Sequence, residues 1–97
     1  MIPAEPSRFH ASIRGRVQGV GFRAFVVERA IELGLKGWVR NRWDGSVEVV
    51  SEGPRPDLEK LLSVLRRGPR MANVTAAEVD WEAATGAFTH FYSRSTA

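Results

Sequence analysis

The sequence predicts an α+β sandwich of order β-α-β-β-α-β with a short C-terminal edge strand, its two helices covering one face of an antiparallel sheet. Three observations lead there. Stretches with apolar residues at every second position alternate with stretches in which they recur every three or four. Glycine and proline pairs mark the ends of several of these stretches. The chain of 97 residues suits one domain and is too short for two of ordinary size.

Residues 1–7 contain Pro3 and Pro6 and read as a mobile N-terminal arm, leaving 8–97 as the folded domain. Phe9, Ala11 and Ile13 then alternate with His10, Ser12 and Arg14, the pattern of a strand with one buried face. Gly15, Gly19 and Gly21 argue against a helix over 15–21. Phe22, Val26, Ala30 and Leu33 fall on one helical stripe, and Gly34 is placed to end that helix. Residues 35–42 and 47–50 read as the second and third strands, with Asp44-Gly45 as the turn between them. Gly53-Pro54 breaks the third strand. Asp57 is placed to cap a second helix carrying Leu58, Leu61, Leu62 and Leu65 at i, i+3, i+4 and i+7, and Gly68-Pro69 stops it. Over 74–82 the alternation returns, with Ala77, Val79 and Trp81 on one side. A last short strand is expected around 88–92. Each half is a split βαβ unit, so the expected result is a ferredoxin-like sandwich. That architecture hosts unrelated functions, and the site must carry the functional argument.

Composition removes several chemistries. The sequence has no cysteine, which excludes a disulfide framework, a thiolate zinc site and a cysteine nucleophile. No apolar run approaches the roughly 18 residues that suggest a membrane span. Residues 1–7 lack a cationic segment followed by an apolar one, so a cytoplasmic location is the expectation. The formal charge is +3 and the sequence pI about 10.2, with arginine supplying most of the positive charge. Arginine holds oxyanions through a planar fork. Such a surface suits nucleic acid, a membrane or small phosphorylated anions, and it equally follows from a biased genome.

The segment Gly15-Arg16-Val17-Gln18-Gly19-Val20-Gly21-Phe22-Arg23 joins a strand to a helix. Glycines there let backbone N–H groups converge into an anion nest, and the helix N-terminus adds unpaired donors. Arg23 lies where a cation is unfavourable for the helix itself, which makes sense if an anion sits between them. A tight turn with an ordinary surface arginine fits the loop equally well. Two sharper motifs fail. Gly19-Val20-Gly21-Phe22-Arg23-Ala24 satisfies a loose dinucleotide pattern, but Asp44 lies in a hairpin turn and the chain is too short for two mononucleotide-binding halves. A nucleotide-hydrolase phosphate loop needs Gly-Lys-Ser/Thr, and Gly21 is followed by Phe22-Arg23.

In the hairpin Gly37-Trp38-Val39-Arg40-Asn41-Arg42-Trp43-Asp44-Gly45-Ser46-Val47, Asn41 is unusual for a strand. It shares a face with Val39. Taken alone, Asn41 reads better as the start of the turn. Together the two segments closely resemble the acylphosphatase family. Its first signature, G-x-V-Q-G-V-G-F-R, is matched without a gap from Gly15 through Arg23, and Gly37, Trp38, Val39, Arg40, Asn41, Gly45, Val47 and Gly53 fill its second. The resemblance runs over residues 8–92; Thr89-His90 is a weaker match in the last strand.

The resemblance implies hydrolysis of the carboxyl-phosphate anhydride of acyl phosphates, giving a carboxylate and inorganic phosphate. It implies that Arg23 and the backbone N–H groups of Gln18, Gly19, Val20, Gly21 and Phe22 bind the phosphoryl oxygens. Asn41 would orient the attacking water, since an amide is no base but can both accept and donate hydrogen bonds. Neither motif supplies a nucleophile, so direct in-line attack by water is the economical mechanism. A carboxylate leaves without protonation, which fits a site lacking a general acid. No metal and no cofactor are expected, and the partners are the acyl phosphate and inorganic phosphate alone: no nucleic acid, no membrane, and a monomeric chain. His10 and His90 have no second ligand in motif spacing. Trp38 and Trp81 read as packing residues, Trp43 as either a wall for the acyl group or an exposed turn aromatic, and Arg40 and Arg42 as solvated on the open sheet face. An RNA-binding module is the rival reading. It needs aromatic residues on the central strands, and the third strand reads Val47-Glu48-Val49-Val50-Ser51-Glu52. An accessory domain of a larger enzyme is the remaining alternative.

Overall fold

Alternating apolar residues produce β1 (Pro6–Arg16) in the computed structural model, which describes residues 5–97. Phe9, Ala11 and Ile13 are fully buried, as their spacing requires. The strand starts earlier than expected. Pro6 and Ser7, assigned above to the arm, pair with Pro54 and Gly53. Residues 1–4 of that arm lie outside the described part.

Helix α1 (Phe22–Glu32) buries Phe22, Val26 and Ala30. It ends in a Schellman arrangement: the N–H of Gly34 donates to Ile31 O at 3.0 Å and that of Leu35 to Ala30 O at 2.9 Å. Strands β2 (Lys36–Asn41) and β3 (Val47–Pro54) form the hairpin. β3 runs through Gly53-Pro54 rather than breaking there, because those residues have β1 as a partner. Helix α2 (Arg55–Arg67) buries Leu58, Leu61, Leu62 and Leu65. Its N-cap is Pro54, not Asp57; Asp57 sits inside the first turn, where a carboxylate faces the helix dipole favourably. Gly68 closes α2 through its N–H to Val64 O at 2.9 Å. Strands β4 (Asn73–Ala83) and β5 (Phe91–Ser93) complete the chain.

The sheet order is β4-β1-β3-β2-β5. β1 pairs antiparallel with β3 and β4, and β2 with β3, while β5 pairs parallel with β2. The sheet is therefore mixed, a correction to the antiparallel expectation. The reason is topological. β4 finishes beside the start of β1, at the end of the sheet where β2 also starts, and residues 84–90 cross that end, where the N–H groups of Thr85 and Gly86 donate to Glu52. A strand entering from that end beside β2 must run with it. β5 is an edge strand as expected, but shorter: Phe88 lies in the crossing segment, with the Arg8 guanidinium 5.3 Å from its ring centre.

Both helices cover one face and share one core with Phe9, Ala11, Ile13, Val39, Val47, Val49 and Phe91. Each fully buried Val, Ile or Phe among these contributes about 1.5–3 kcal/mol. For function the consequence is positional. β1 and β2 run in the same direction with β3 between them, so the loop after β1 and the turn after β2 emerge at the same end of the sheet.

Candidate active site

The loop between β1 and α1 is held by apolar anchors set between glycines. Val17 and Phe22 are almost fully buried, and Val20 packs against the core. Phe22 also meets Phe25 edge to face, at 6.2 Å between ring centres. Between these anchors Gly19 and Gly21 take φ of 72° and 77°. A Cβ at either would meet nothing within 4 Å. Glycine is required there by backbone conformation, not by crowding.

Gly21 is the N-cap of α1, with no side-chain cap and no acid in the first turn. The first helical bond runs from Phe25 N to Gly21 O at 3.1 Å, so the N–H groups of Phe22, Arg23 and Ala24 have no helical acceptor. Arg23 is exposed on this turn and approaches no carboxylate among the described residues. Arg8, Arg14, Arg29, Arg40, Arg42 and Arg55, by contrast, each approach one.

The second segment arrives from the hairpin. Val39 is fully buried on the helix side, and Asn41, two residues on, faces the same way at the sheet end. Asp44 shapes the turn by accepting the N–H of Ser46 at 2.9 Å and its hydroxyl at 2.6 Å. These bonds hold the Asp44 carboxyl below the usual range. The hydroxyl of Ser46 is thereby directed into the turn, away from any catalytic use.

Gly19, Gly21, Phe22, Arg23 and Asn41 line one hollow of about 390 Å³, together with Val17, Ala24 and Ser93. The two sequence segments thus meet. Gln18 and Val20 do not line it. Val20 turns to the core, and the Gln18 amide donates to Arg42 O at 2.7 Å and Ser46 O at 2.9 Å. Ser93 was not anticipated: it reaches the hollow through the pairing of β5 with β2, where it stands opposite Val39. No local pattern signals that. Trp43 is 83% exposed and lines no part of the hollow.

Behind β2, on the open face, Arg40 is paired rather than solvated as expected, while Arg42 stays partly exposed. Arg40 Nε donates to Glu48 Oε1 at 2.6 Å, His10 Nε2 lies 2.5 Å from Oε2, and Arg42 Nη1 lies 3.8 Å from it. Burial works against charge on Glu48, but these hydrogen bonds and the two guanidinium charges outweigh it and hold the carboxyl below the usual range. Trp38 is nearly buried, between the guanidinia of Arg40 and Arg94 at 4.8 and 4.6 Å from its ring centre.

As a class, these parts define a small α+β protein in which helix-start amides, an arginine without a carboxylate partner and an asparagine share one hollow at a sheet end. Sequence and structural likeness make the assignment particular. The acylphosphatase family model matches residues 9–93. An acylphosphatase of Thermus thermophilus is 55% identical over 74 residues, covering 76% of this chain and 84% of the relative. One from Salinibacter ruber is 51% identical over 87 residues, covering 90% and 92%. The crystal structure of acylphosphatase from Bacillus subtilis superposes with a TM-score of 0.88 at 35% identity, covering 91% of this chain and 98% of that one. The chain belongs to the acylphosphatase family and is a hydrolase acting on acyl phosphates.

Proposed function

We propose that Arg23 and the backbone N–H groups of residues 18–22 hold the phosphoryl oxygens of the acyl phosphate, while Asn41 orients the water that attacks phosphorus. The observation that carries this reading is the shared hollow, lined by Gly19, Gly21, Phe22 and Arg23 on one side and Asn41 on the other. Helix dipole, unpaired amides and a permanent cation all stabilise charge gathering on the equatorial oxygens. Water attacks in line, its oxygen bonding to phosphorus as the bond to the acyl oxygen breaks. The carboxylate leaves with that electron pair, and a phosphate oxygen takes the water's proton. No group in the hollow is needed as nucleophile or general acid, and the charge is met by the arginine and the amides without a metal. All the residues given a role here belong to one chain, which supports a monomeric enzyme; the monomer and a cytoplasmic location would be checked by sedimentation and cell fractionation.

The test is hydrolysis of benzoyl phosphate by the wild-type protein in excess EDTA. Undiminished turnover supports the metal-free reading; turnover abolished by EDTA and restored by a divalent cation would overturn it. Asn41→Ala separates positioning from binding: kcat falls roughly 100-fold while inorganic phosphate binds nearly as before. Asn41→Asp stays poor, because its charge repels the bound phosphate. An Asp variant equal to wild type would mean that proton abstraction limits the rate, and the water-orienting role would be wrong.

A further inference from the structure

Gln18 belongs to the glycine loop, yet its side chain is directed away from the hollow. The amide nitrogen donates to Arg42 O at 2.7 Å and to Ser46 O at 2.9 Å, so both of its N–H groups are in use. These carbonyls already form the base of the turn: Arg42 N donates to Ser46 O at 2.9 Å, and Gly45 N to Arg42 O at 3.1 Å. Gln18 therefore adds nothing the turn needs for its own closure. What it adds is a tie. Among the described residues no other hydrogen bond joins residues 17–21 to residues 41–47. Arg42 follows Asn41 directly, so the tie ends one peptide unit from the amide that faces the hollow.

We propose that Gln18 is a positioning residue: through its two bonds to the hairpin it fixes the separation of Asn41 from the phosphate loop. This rests on the roles of Arg23 and Asn41 proposed above. Displacing a reacting group by about 1 Å can cost up to 100-fold in rate, so a tie set at the junction of the two halves acts on turnover more than on binding. The half-buried placement of Gln18 shields these bonds from competing water. Residue chemistry narrows the choice. Glutamate offers no donor, asparagine is a methylene shorter, and an apolar residue of equal length leaves the two segments unlinked.

The test is Gln18→Met, which keeps length and neutrality and removes both donors. kcat for benzoyl phosphate is expected to fall at least about tenfold, with inhibition by inorganic phosphate shifted less than about threefold. The decisive measurement repeats the substitution on the Asn41→Ala background. If Gln18 acts through Asn41, its effect there shrinks to near nothing, a strongly non-additive cycle. A full-sized loss on that background, or unchanged kcat in the single variant, overturns the proposal. Should Gln18→Met fail to fold, Gln18→Asn is read in the same cycle, since it keeps the amide and breaks the reach. If Asn41→Ala alone leaves turnover intact, it is the role of Asn41 that fails, a result distinct from the failure of Gln18.

Discussion

Arg23 and the arginines behind β2 sit on opposite sides of one strand and are treated in opposite ways. On the open face, Arg40 and Arg42 converge on Glu48, which is only 6% exposed. On the helix side, Arg23 stands on an uncapped helix start and approaches no carboxylate among the described residues. The same residue type is neutralised internally in one place and left unneutralised in the other. A surface arginine with no partner is ordinary by itself. One lining a hollow with unpaired helix-start amides and Asn41 is the arrangement proposed above to take the phosphoryl group.

The contrast is broken most sharply at Arg23. Arg23→Lys keeps the charge and loses the fork, and kcat/KM is expected to drop by about 3 kcal/mol of transition-state stabilisation, roughly 100-fold or more. Thermal stability stays at the wild-type value, because no internal partner is lost. A Lys variant retaining more than about a third of kcat/KM would show that a point charge suffices and that the fork is unnecessary. Glu48→Gln makes the opposite case. It leaves two guanidinium groups without their carboxylate and costs about 2 kcal/mol of stability in urea denaturation, with kcat changed less than about threefold. Loss of activity with unchanged stability would mean that the open face serves the site.

The smallest effect is in acid. Glu48 and Glu52 are both held below the usual carboxylate range; at Glu52, burial opposes this but is outweighed by the N–H groups of Thr85 and Gly86, the Thr85 hydroxyl and Arg8. A carboxyl depressed in the folded state contributes stability that is complete above the unfolded value, about 4.3, and lost as pH falls through the folded one. Unfolding free energy should therefore decline as pH falls below about 4.3. The Glu48→Gln variant should show a shallower decline than wild type. Identical acid profiles would assign the acid sensitivity elsewhere.

Much of this was legible in the residues. The alternation of Phe9, Ala11 and Ile13 and the leucine stripe of α2 are local patterns, and each produced its element. The candidate site was legible because two ordered segments carry it, and the parallel course of β1 and β2 brings their ends together. What escaped depends on partners distant in sequence. Pro6 and Ser7 are strand residues because Pro54 and Gly53 lie beside them. Ser93 reaches the hollow because the chain enters β5 from the end where β2 begins. Asp57 is not the cap its residue type suggested, because it lies in the first turn of a helix whose N-cap is Pro54 and whose opening turn holds Pro56. The direction of the Gln18 side chain escapes as well, since inside a glycine loop no periodicity fixes where a side chain points.

One outer strand has a meaning for the protein in company with its own copies. β4 is 11 residues long and forms a free margin of the sheet, the kind of backbone edge on which a second chain can template itself. Its open-face row reads Glu78, Asp80, Glu82, all exposed. Arg14 offsets Glu78 at 2.8 Å and Arg8 lies 3.8 Å from Glu82, while Asp80 has no cation against it among the described residues. Two such margins brought edge to edge would set acid against acid along their length, which disfavours the pairing. A charged row of this kind makes the long free margin a poor template for a second copy.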